Sequence, residues 1–100
     1  MNRLNWEIIK GNIEEARKQL QDVVTLIEKG EYPYKEELQI MMQHAYHHIN
    51  FAWNAKNIAI KRYNNLTIAD FNTFGKFPKD IKAIHVSKSI KKSRVVRNKK

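Results

Sequence analysis

The chain has 100 residues, a formal net charge of +9 and no cysteine. That length allows one domain, and the missing thiols exclude disulfides, thiolate metal sites and cysteine nucleophiles together. The charge is lopsided: residues 79–100 hold nine Lys or Arg against the single acid Asp80, whereas residues 1–78 hold ten basic and nine acidic side chains. The division predicts a helical body over 1–78 and a basic, flexible C-terminal tail over 79–100. The longest apolar runs are triplets such as Ile40-Met41-Met42, against the roughly 20 residues needed to span a bilayer. The first residues lack the apolar core of a signal peptide. A cytoplasmic protein is expected.

Residues 5–29 read as a first helix. Its apolar side chains, Trp6, Ile9, Ile13, Ala16, Leu20, Val23 and Ile27, alternate at steps of three and four, a coiled-coil seam. Asn5 is a candidate N-cap and Gly30 a candidate stop. After a turn at Tyr32-Pro33 a second helix is predicted from Tyr34 to Tyr63, with a stripe through Leu38, Met42, Ala45, Ile49, Ala52 and Trp53. Two such helices joined by a short turn form an antiparallel hairpin. Asn64-Asn65 breaks the pattern. Thr67 and Asp70 resemble a capping box, opening a short helix from Ile68 to Phe74 that ends at Gly75 and turns Ile68, Phe71 and Phe74 to the hairpin. The fold class is therefore all-α: a hairpin plus a short third helix.

The second helix carries more apolar surface than one seam uses. Ile40, Phe51 and Ile58 fall away from the main stripe and form the expected interface of a homodimer, a four-helix bundle built from two hairpins. A body this short buries only about 60–65% of its unfolded surface and gains by associating.

Three of the four histidines cluster at His44, His47 and His48. His44 and His48 are four apart and share a helix face, and Glu37 lies on roughly the same side. A Glu37–His44–His48 stripe is a candidate metal site, the alternative function. Equally, the stripe lies at the edge of the core, where histidines hydrogen-bond Tyr or Asn across an interface. His47 falls on the polar strip and is expected to be exposed. Asn50, Asn54, Asn57, Asn64 and Asn65 read as a solvated edge. The mixed charges of the first helix read as a solvated face, no residue stands out as a nucleophile, and three glycines supply no phosphate-cradling loop. Neither an enzyme nor a cofactor is expected.

The tail carries the main functional signal. Lys88, Lys91, Lys92, Arg94, Arg97, Lys99 and Lys100 lie within thirteen residues without an acid, the composition of an interaction segment. No aromatic follows Phe77, so base stacking is not available to the tail. Contacts to nucleic acid would go to phosphate, with little sequence information. The expected protein is a binding module or adaptor whose tail engages an anionic partner, nucleic acid or an acidic protein surface. Ser87, Ser89 and Ser93 stand among the lysines, where phosphorylation would remove positive charge.

The segments His44-Ala-Tyr-His-His-Ile-Asn-Phe-Ala-Trp-Asn54 and Phe74-Gly-Lys-Phe-Pro-Lys-Asp-Ile81 resemble those of small uncharacterised helical proteins of cyanobacteria. The resemblance spans residues 5–85 and omits most of the tail. It implies a cytoplasmic location in a photosynthetic bacterium and carries over no catalytic role.

Overall fold

Residues 6–28 coil because apolar side chains recur every three or four positions and because both ends are closed. The computed structural model describes residues 3–85. Its first helix, α1 (Trp6–Glu28), opens at Asn5, whose Oδ1 accepts from Ile8 N at 3.4 Å. It stops before Gly30, which takes φ +76°, a conformation that costs glycine little and other residues more. The second, α2 (Lys35–Asn54), begins where Tyr34 N donates to Glu37 Oε1 at 2.9 Å. The two pack as the expected antiparallel hairpin.

The buried stripe of α1 is displaced from the expected seam. Ile8, Asn12 and Ala16 are buried, whereas Ile13, Leu20 and Ile27 stay about half-exposed and Trp6 more so. On α2 the buried residues are Ala45, Asn50, Phe51 and Ala52, with Ala55 just beyond the helix. Ala16, Ala45 and Ala52 are buried, whereas Ile13, Leu20 and Ile49 lie on the flank.

The second helix is shorter than predicted. It ends at Asn54, and a separate turn of helix, α3 (Ile60–Tyr63), follows. The break lies where the start of α1 grips the chain: Asn5 N donates to the Lys56 carbonyl at 2.6 Å, and Asn5 Nδ2 to the Ile58 carbonyl at 3.0 Å. Carbonyls turned toward Asn5 are lost to the helix, and asparagine propensity at 54 and 57 offers little resistance.

The short helix α4 (Ile68–Phe74) has the predicted limits and cap. Thr67 Oγ1 accepts from Asp70 N at 3.0 Å, and Asp70 Oδ2 accepts from Thr67 N at 3.2 Å. Phe71 and Phe74 meet Phe51 with ring centroids 5.2 and 5.9 Å apart, while Ile68 points to water. Phe51 is thereby only 3% exposed. Of the residues expected to form a dimer surface, Phe51 is covered by the chain's own α4, Ile58 is half-buried in the turn gripped by Asn5, and Ile40 is exposed beside Tyr32 and Tyr34 at the hairpin turn.

The asparagine strip is also corrected. Asn50 is buried and donates to the Gly75 carbonyl at 2.8 Å, and Asn54 Nδ2 donates to the carbonyls of Phe74 and Lys76 at 2.8 and 2.7 Å. These amides dock the chain that follows α4 along α2. A Cβ at Gly75 would lie 3.3 Å from the Phe71 carbonyl of its own preceding turn and at ordinary contact distance, 3.5 Å, from His47 Nδ1. Body contacts continue past Pro78, since Trp53 Nε1 donates to Asp80 at 2.9 Å.

Candidate functional site

Two histidines face α1, and the third faces α4. His48 Nδ1 lies 2.9 Å from Asn12 Oδ1; because an amide oxygen only accepts, Nδ1 carries the proton. Asn12 Nδ2 donates to the Ile8 carbonyl and to the Tyr63 hydroxyl, both at 3.0 Å. A buried asparagine in the hairpin is thus fully partnered, and the group ties α1, α2 and α3 together. His44 Nδ1 lies 2.6 Å from Gln19 Oε1 in the same way, one turn farther along. The expected hydrogen bonding at the core edge is seen for His48 with Asn12, while Tyr63 bonds Asn12 rather than a histidine.

His47 is not on an exposed strip. Its ring sits between Phe51 and Phe71, with centroids 4.5 and 4.9 Å away, and meets His48 at 5.0 Å. Burial is the main cause that holds His47 below the ordinary histidine range, with the nearby His44 adding to it. His48 is lowered by burial first and then by His47 and His44, against an opposing pull from Glu15. Each imidazole therefore resists the proton in the folded chain.

These histidines do not assemble the predicted metal stripe. Glu37 accepts from Tyr34 N at the start of α2, while His44 and His48 are turned to Gln19 and Asn12. Among the described residues no three His, Cys, Asp or Glu side chains converge as metal ligands would. A small cleft of about 270 Å³ beside His48 is lined by Glu7, Glu15, Asn12, Tyr63 and Asn64. A wider open depression of about 780 Å³ lies at the hairpin turn among Tyr32, Tyr34, Glu37 and Ile40.

The remaining surfaces are apolar or charged. A groove of about 340 Å³ runs between the helices on the side away from α4, lined by Ile13, Ala16, Leu20, Val24 and Ile49. Sequence reasoning placed Ile13, Leu20 and Ile49 inside the hairpin seam. The seven predicted anion-binding residues, Lys88, Lys91, Lys92, Arg94, Arg97, Lys99 and Lys100, lie outside the described residues. Among the described helices none is long and apolar enough to cross a membrane. No family model matches the chain, and neither a curated protein nor a solved structure matches it.

Proposed function

We propose that the protein is a cytoplasmic, non-enzymatic binding module: a homodimeric helical body whose basic C-terminal segment engages an anionic partner, nucleic acid ahead of an acidic protein surface. The charge distribution carries this reading, with seven Lys or Arg and no acid over residues 88–100 beside a nearly neutral body. Such a block attracts polyanions and releases their counterions on binding. It lacks aromatics, so the segment supplies affinity and steering, and discrimination between partners falls to the body.

Titration of the full chain into labelled short duplex DNA, and separately into polyglutamate, tests the proposal. If about six phosphates are neutralised, log K for DNA falls with log salt at a slope near −5. Deleting residues 87–100 should remove nearly all binding. A truncated body that binds as tightly as the full chain, or DNA binding indifferent to salt, overturns it.

A further inference from the structure

The proposed homodimer needs an interface, and of the three residues first expected there Phe51 is covered by α4 and Ile58 is half-buried in the turn gripped by Asn5. The side of the hairpin away from α4 is different. Ile13, Leu20, Val24 and Ile27 of α1 and Leu38 and Ile49 of α2 are each between 38% and 48% exposed. They sit on the same flank: helical spacing aligns 13, 20, 24 and 27 on α1 and 38 with 49 on α2, and the groove joins Ile13, Leu20, Val24 and Ile49. Trp6, 67% exposed, extends the strip at its end.

We infer that this open flank is the surface on which two copies of the chain pair, α1 against α1 across a two-fold axis, to complete a four-helix bundle. The inference rests on the homodimer reading and gives it an interface. Size favours a second copy. The six half-exposed aliphatics and Trp6 together leave several hundred Å² of apolar surface in water. A standard interface buries about 800 Å² per partner, somewhat over half of it apolar. Charge favours it too. The rim of α1 beside the strip carries both signs, Lys10 and Arg17 against Glu14 and Glu28, so the surface does not repel itself. An antiparallel pairing centred near Leu20 brings the Lys10 end of one copy beside the Glu28 end of the other. The chain's own residues 86–100 make a poor cover, since seven of those fifteen are Lys or Arg.

Sedimentation equilibrium of the full chain, with Leu20→Glu, Ile13→Gln and Ile40→Glu as variants, tests the inference. Circular dichroism checks that each is folded, and Ile13→Gln serves where Leu20→Glu is not. The expected result is a wild-type dimer, a dissociation constant raised roughly thirtyfold or more by Leu20→Glu, a smaller rise for Ile13→Gln, and an unchanged dimer for Ile40→Glu. A dimer that folded Leu20→Glu and Ile13→Gln leave intact overturns this flank as the interface while the homodimer stands. A wild-type chain that stays monomeric at high micromolar concentration overturns the homodimer itself, and the inference with it.

Discussion

On one flank of α2 the chain covers itself. Phe51 is closed over by Phe71 and Phe74, and Asn50 and Asn54 hold the carbonyls of residues 74–76. On the other flank Leu38 and Ile49, with Ile13 and Leu20 from α1, remain half in water. The closed flank combines aromatics with side-chain amides that satisfy a passing backbone; the open flank is mostly aliphatic, with polar groups only at its edge in Arg17 and Gln21. A loop laid over the open side would leave its own N–H and C=O groups unpaired at a cost. A second helical hairpin, already bonded internally, would not.

The comparison breaks most visibly at Phe51. Phe51→Ala should cost about 3–5 kcal/mol in urea denaturation, as deletion of a large buried aromatic does, whereas Ile40→Ala at an exposed position should change stability by less than about 0.5 kcal/mol. Next is the amide clamp. Asn50→Ala leaves the Gly75 carbonyl without its donor, an expected loss of about 1–3 kcal/mol, and should speed proteolysis at Lys76 and Lys79 more than elsewhere.

Protons sharpen the same contrast, because His47 belongs to the closed flank. His47 and His48 have folded-state pKa values lowered from an ordinary value near 6.5. Between the lowered values and 6.5 the unfolded chain binds more protons, so stability rises with pH in that window. The contribution is complete above about 6.5 and is lost as pH falls toward the folded values. Urea midpoints should therefore drop from pH 7.5 to 5.5, and His47→Phe should make the dependence shallower. The smallest effect belongs to the exposed Arg17–Glu14 pair, 2.6 Å apart. Arg17→Ala should leave thermal stability essentially unchanged.

Much of the architecture is legible in the residues. Local chemistry marks ends well: Asn5, Gly30 and the Thr67–Asp70 pair close helices where expected. The hairpin and α4 follow from periodicity and a turn at Pro33. What periodicity does not report is which of two adjacent stripes turns inward. The heptad seam through Ile13 and Leu20 is regular, yet the stripe through Ile8, Asn12 and Ala16 is buried, because Tyr63 and His48, far off in sequence, satisfy Asn12. The early end of α2 has a similar cause, being imposed by Asn5, far off in sequence but adjacent at the open end of the hairpin. Asn50 and Asn54 look like surface residues until Gly75 is brought beside them. A run of asparagines four apart facing a glycine-terminated helix is a signal that could have revealed the clamp.

The contrast between a flank closed by its own chain and an open flank proposed to pair with a second copy is tested most directly by methyl NMR over a dilution series. From high to low micromolar concentration, the methyl resonances of Ile13, Leu20, Val24 and Ile49 should shift together along one dimerisation curve, while those of Ile40 and Ile68 stay fixed. Resonances that do not move on dilution, or movement confined to Ile40 and Ile68, would contradict the account.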